Sequence, residues 1–312
     1  MKSNLIPIRY LVIILYMLFV KRKRLFIYLL LVGLALIWGT NFSLVKWAFS
    51  ELSPLAFNAV RFTLASPLIF ILLILREGWQ PVPIIDMLKI FGLGLLGNSI
   101  YQVLFIKGIS LTTAGNSSLF LATVPVWTAV FSVVMRKDRL NKAAWIGIVL
   151  AFIGVAIVTI GSGQKFSLSG SKTIGNLIML LAASCWAGYT ILSRDLLQRY
   201  SPLRLTALAM ITGAVGLWIF AIPEVIKQSW ADVSPKVWGA VAFSGIMALV
   251  VGYIIWAEGV KKIGPARTAI FSNVTPIVAF VVAFLMLGES ITWLQGLGGM
   301  TILYGVSLTI RN

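Results

Sequence analysis

Residues 36–54 read LIWGTNFSLVKWAFSELSP, and residues 184–202 read SCWAGYTILSRDLLQRYSP. In each stretch a tryptophan, Trp38 or Trp186, lies 16 residues before a proline that follows a serine, Ser53-Pro54 or Ser201-Pro202. Further out, Pro125, Gly147 and Gly154 recur 151 residues later as Pro276, Gly298 and Gly305. The pattern is therefore written twice. Each copy holds five hydrophobic spans, and an odd number makes the second copy enter a bilayer from the opposite side. Inverted repeats of this kind build secondary transporters, which bind substrate near the midplane where the repeats meet.

Composition fixes the class. The chain is 59% hydrophobic and 11% charged, with a mean hydropathy of +0.97. A spanning helix needs roughly 20 apolar residues. Ten stretches qualify, at 26–45, 54–75, 87–106, 113–135, 143–161, 174–193, 202–222, 237–257, 265–287 and 293–310. Lipid offers no partners for backbone polar groups, so continuously apolar runs become helices. The fold class expected is an all-α polytopic membrane protein, ten transmembrane helices arranged as two inverted five-helix repeats. The repeats are bounded at 23–162 and 173–312, with a linker at 163–172. Residues 1–22 form an N-terminal extension or interfacial segment. Leu5–Val20 contains Pro7 and Arg9, and Lys21–Arg24 follow the apolar run rather than precede it, unlike a signal peptide. An eleventh span and an upstream extension with the true start at Met17 stay open.

The formal charge of +17 is distributed as in a membrane protein rather than a nucleic-acid binder. With the N-terminus inside, 17 basic residues fall on the cytoplasmic side, among them Lys21–Arg24, Arg76, Arg136, Arg139, Arg204 and Lys261. Six face the other way, at Lys46, Lys107, Lys165, Lys172, Lys227 and Lys236. That bias sets both termini in the cytoplasm. The remaining attraction is to anionic lipid headgroups.

Histidine is absent and Cys185 is the lone cysteine. This removes His/Cys metal and haem sites, His-based triads and any disulfide within the chain. No cofactor is expected, nor is a phosphate-binding loop present for nucleotide-driven pumping. All nine carboxylates fall at span ends or in loops, which leaves a membrane enzyme without its groups.

Two spans carry mid-helix prolines, Pro125 and Pro276. Each frees a carbonyl four residues earlier, on Leu121 and Ser272, and a freed carbonyl in a membrane needs a partner or a cavity. These are candidate hinges. The fifth and tenth spans carry Gly147, Ala151, Gly154, Gly296, Gly298, Gly299 and Gly305. Small residues at that spacing let helices approach closely, so these spans read as packing or homodimer surfaces.

In order and doubling, these features resemble the drug/metabolite transporter superfamily, in its ten-span EamA-type members. The residues that carry the resemblance include Leu36–Phe42, Ser53-Pro54, Arg61-Phe62, Thr123–Val126, Val274–Ile277 and Leu287-Gly288-Glu289. The family's Gly-Glu-Arg after the fourth span is replaced by Arg136-Lys137-Asp138-Arg139. The resemblance implies export or exchange of small metabolites, often amino acids, across a bacterial inner membrane.

Polar residues inside spans are costly and face cavities. The candidate substrate-binding residues are Trp38, Asn41, Arg61, Asn98, Tyr101 and Gln102 in the first copy. In the second they are Trp186, Tyr189, Tyr253, Trp256, Ser272 and Asn273. Trp38, Asn98 and Trp186 lie near span centres and are expected to form the heart of the site. Asn98 has a second reading as an interhelical hydrogen bond, and Tyr253 and Trp256 as interfacial anchors. Arg61 either binds a substrate carboxylate or snorkels to headgroups. Lys107 and Glu258 read as surface anchors. The function expected is secondary transport of a small organic metabolite, amino acids foremost. The alternatives are a nucleotide-sugar or sugar-phosphate carrier, and a non-transporting accessory protein.

Overall fold

The computed structural model describes residues 8–135, 141–161 and 170–310. The first seven residues, the Arg136–Arg139 loop and residues 163–169 of the expected linker lie outside them, while its last two residues, Ser171 and Lys172, already belong to a helix. Every regular element among the described residues is helical. The chain runs α1 (Ile8–Ala48), α2 (Pro54–Glu77), α3 (Ile84–Gly94), α4 (Tyr101–Leu111), α5 (Ala114–Leu121), α6 (Val124–Val134) and α7 (Lys142–Gly161). It continues with α8 (Ser171–Leu197), α9 (Pro202–Lys227), α10 (Pro235–Phe243), α11 (Gly252–Ile263), α12 (Pro265–Ile270), α13 (Thr275–Leu287) and α14 (Trp293–Ile310).

Several of these join end to end. α3 passes through a π-helical segment, Leu95–Ile100, into α4, and α10 passes through another, Ser244–Val251, into α11. α5 with α6, and α12 with α13, make two further rods, each broken near its middle. Eight of the resulting helices are long and apolar enough to cross a membrane. Their outward faces carry Leu75, Val134, Ile226 and Leu285, each more than 70% exposed. Water would not tolerate so much open apolar surface, whereas lipid tails require it. The chain is a multi-pass membrane protein.

Local chemistry sets the helix ends. Pro54, Pro202, Pro235 and Pro265 each open a helix, where the missing N–H costs nothing. The Ser201 hydroxyl caps α9 by accepting from the Arg204 N–H at 3.0 Å. Gly288 ends α13 in a left-handed conformation, φ 65°, which turns the chain back. The next residue, Glu289, then accepts from the Ala114 and Gly115 N–H groups at 2.9 and 3.1 Å. Its charge faces the positive end of α5.

Other carboxylates work the same way. At that same end of the bundle, Glu224 accepts from Leu55 N–H at 2.7 Å and pairs with Lys107, and Glu51 accepts from Ser234 N–H at 2.6 Å. At the opposite end, Glu77 accepts from the Ser201 hydroxyl at 2.7 Å. Asp86 accepts from Arg199 at 2.6 Å and from the Tyr200 hydroxyl at 2.7 Å. That last bond raises the Tyr200 phenol above its ordinary pKa. Glu258 pairs with Lys262 at 3.0 Å.

The glycine-rich helices meet each other. A Cβ on Gly147 would come 2.4 Å from the Gly305 carbonyl oxygen, and one on Gly298 would come 2.8 Å from that of Gly154. α7 and α14 thus pack backbone to backbone, and this contact inside one chain occupies Gly147, Gly154, Gly298 and Gly305.

Candidate functional site

A cavity of about 50 Å³ lies within the bundle. Its wall comes from α1, α2, α4, α8, α11, the second π-helical segment and both broken rods. Eight residues singled out from sequence line it: Trp38, Asn41, Arg61, Tyr101, Gln102, Trp186, Tyr253 and Ser272. The wall also takes Phe42, Phe105, Ser118, Leu121, Ala248 and Thr275.

Arg61 does not snorkel. It sits one third of the way along α2 with 1% of its surface exposed. Nε donates to Asn58 Oδ1 at 2.8 Å, Nη1 to Ser244 Oγ at 2.7 Å and Nη2 to Gln102 Oε1 at 2.5 Å. The rings of Phe57 and Phe105 flank the guanidinium, with centroids at 5.5 and 5.8 Å. All these partners are neutral. Among the described residues no carboxylate pairs with it. Gln102 passes the network on, since its Nε2 donates to the Tyr253 hydroxyl at 2.5 Å.

Below Arg61 lies an aromatic cluster. Trp186 has Tyr101 and Tyr253 at ring-centroid distances of 4.9 Å, Tyr189 at 5.0 Å, Trp256 at 5.6 Å and Trp38 at 5.8 Å. Trp38 Nε1 donates to the Ala248 carbonyl at 3.0 Å, and Trp256 Nε1 to Thr190 Oγ1 at 3.0 Å. Tyr189 and Trp256, 3% and 2% exposed, do not line the cavity and pack behind its wall.

Asn98 and Asn273 are placed elsewhere. Asn98 is fully buried against α9, where Nδ2 donates to the Ala209 carbonyl at 3.2 Å. Its Cβ stands 2.4 Å from where a side chain on Gly213 would begin. Its neighbour Ser99 donates to the Gly213 carbonyl at 2.6 Å. Both side chains fasten the first π-helical segment to α9, so the second reading of Asn98 is the one its surroundings match. Asn273 lies in the short 3₁₀ turn between α12 and α13 and does not reach the cavity.

At Pro125 and Pro276 the chain breaks rather than bends. α5 stops at Leu121 and α6 restarts at Val124, with Pro125 in its first turn; α13 restarts at Thr275, with Pro276 in its first turn. Leu121 and Ser272, whose carbonyls the prolines leave free, both line the cavity. Asn58 and Ser244, which hold Arg61, carried no signal in the sequence beyond being polar within a span. The comparable polarity of Asn58 and Arg61 three residues apart was the one available clue.

Comparison with known proteins now assigns the class. The EamA-like transporter family matches residues 25–160 and again residues 173–311. The chain belongs to that family. It is 32% identical to the uncharacterized transporter YyaM of Bacillus subtilis over 289 residues, covering 91% of this chain and 93% of that one. It is 28% identical over 218 residues to a Streptantibioticus cattleyicolor protein named "Probable terminal-alkyne amino-acid exporter", covering 70% and 71%. A solved crystal structure superposes with a TM-score of 0.67 at 18% identity, covering 91% of this chain and 98% of that one.

Proposed function

We propose that the protein is a secondary transporter that moves a small organic metabolite through the central cavity by alternating access, with amino acids as the leading substrate class. The carrying observation is the cavity itself, walled by aromatic rings and the buried Arg61 cation. A scaffold or accessory protein has no use for such a chamber. The single cation disfavours nucleotide sugars and sugar phosphates, whose paired negative charges need more than one.

Ten spans in two inverted repeats, 23–162 and 173–312, supply the mechanism. The family matches each half separately. Broken rods occur at Pro125 and Pro276, and π-helical segments at 95–100 and 244–251, at corresponding places in both halves. These are the elements that would flex as one half rocks against the other. The distribution of Lys and Arg favours a bacterial inner-membrane location with both termini cytoplasmic. Lipid is the surrounding partner, and nucleic acid is not one. A homodimer through α7 and α14 would use their outer faces, because the glycine faces are already paired.

Counterflow in proteoliposomes tests this, with a panel of labelled amino acids and wild type beside Ala122→Phe, which fills the cavity. Accumulation in wild type alone is the expected result. No accumulation across the panel from monodisperse protein would discard the amino-acid reading. Equal accumulation in both proteins would move the site elsewhere.

A further inference from the structure

Arg61 has donors to spare. A guanidinium carries five N–H groups, and three are spent on Asn58, Ser244 and Gln102. Nη1 and Nη2 each keep one. A cation so deeply buried, without a carboxylate among its partners, is costly. A carboxylate entering the cavity would relieve that cost through a forked, charge-assisted pair.

A second set of polar atoms stands unused on the same wall. Asn41 Oδ1 on α1, Thr275 Oγ1 on α13 and Trp186 Nε1 on α8 are all buried without a hydrogen-bond partner. Their residues are 5%, 5% and 2% exposed, and each lines the cavity. Native interiors rarely leave such atoms unpaired, and here three belong to residues that line one cavity. Two of them are acceptors. Phe42, Phe105, Leu121, Val124 and Leu249 give the wall an apolar part.

We propose that the cavity recognises an α-amino acid with an apolar side chain as a zwitterion, at two separate places. The carboxylate takes the free donors of Arg61. The ammonium donates to Asn41 Oδ1 and Thr275 Oγ1, and Trp186 Nε1 donates to the remaining carboxylate lone pair. Because the described wall contains no acidic side chain, the ammonium is held by neutral oxygens only. It is tolerated in company with the Arg61-bound carboxylate and refused alone. This inference rests on the amino-acid reading above.

The test uses phenylalanine, its methyl ester, phenethylamine and 3-phenylpropionate as competitors of labelled phenylalanine counterflow. Binding of the same four is followed in parallel by quenching of tryptophan fluorescence. Ester and amine are expected to bind about a hundredfold more weakly than phenylalanine. Arg61→Gln is expected to bring phenylalanine down to the level of its ester, with Arg61→Lys recovering part of the loss. Thr275→Val is expected to weaken phenylalanine about tenfold more than 3-phenylpropionate, which has no ammonium to lose. An ester that competes as well as the acid overturns the proposal, as does equal weakening of both acids by Thr275→Val. If Arg61→Gln fails to fold, the ligand series on wild type decides alone. Selective binding without counterflow would sink the transport reading and leave the recognition standing. Absence of both overturns the recognition as well.

Discussion

Trp38 and Trp186 occupy equivalent places in the two halves, yet they use their indole N–H groups differently. One is bonded to the Ala248 carbonyl, and the other is left without a partner on a residue that lines the cavity. Sequence could find both residues, because a tryptophan far from either interface has to belong to an interior. It could not tell which one holds structure and which waits for a ligand, because that depends on where a carbonyl from a distant helix falls. Asn98 shows the same limit. A polar residue at span centre fits a substrate site and a helix clamp equally well, and only its closeness to Gly213 and Ala209 decides. Replacing it should therefore act on stability. Asn98→Ala is expected to cost about 1 kcal/mol, seen as a lower thermal midpoint in detergent, with the affinity of the cavity for ligand unchanged. A drop in affinity at constant stability would return Asn98 to the site.

Proline marked the broken rods correctly in position and understated them in kind. The rule that a proline frees one carbonyl predicts a kink. Here the helix stops and restarts: the Thr123 N–H and hydroxyl both turn back to the Phe120 carbonyl on one rod, and a 3₁₀ turn at 271–273 separates the two segments of the other. The π-helical segments left no trace in the sequence, since one extra residue per turn needs no special side chain. Yet both are used: Ser244 holds Arg61, and Ser99 holds α9. The glycine stripes were legible as close-packing surfaces, but the partner was not, as any helix with small residues would serve. With Gly147 pressed against Gly305, Gly147→Val is expected to destabilise the protein by about 1–3 kcal/mol through overpacking. A comparable change at Gly296, where nothing stands within 4 Å, should be nearly silent. The two midpoints, measured side by side, check the assignment.

At the scale of the whole molecule, charge other than that of Arg61 is kept away from the described chamber wall and spent on the ends. Glu51, Glu77, Glu224 and Glu289 face helix starts or their capping serines, and Asp86 ties the first turn of α3 to the turn between α8 and α9. The sequence already placed every carboxylate at a span end or in a loop, but their pairing with helix N-termini across the two halves needed the fold. The consequence for transport is a flat pH response. The described wall holds no Asp, Glu, His or Lys, and arginine and tyrosine ordinarily titrate well above neutrality. Ligand affinity is expected to stay within about twofold from about pH 6 to about pH 8. A titration over that range checks this, and a steep dependence would mean that a proton is carried by a group outside the cavity.

The seam between α7 and α14 reaches further than packing. α7 closes the first half of the chain and α14 closes the second, and at their glycines the two backbones come close enough that a Cβ would clash. Such a surface is self-selecting: it rejects any helix bulkier than glycine at those points, whether or not a peptide bond joins the two halves. Two separately made polypeptides, divided between residues 162 and 173, should find each other in the bilayer along this line. The connecting stretch then serves to bring the halves together promptly and in equal number, while the seam itself decides what they become.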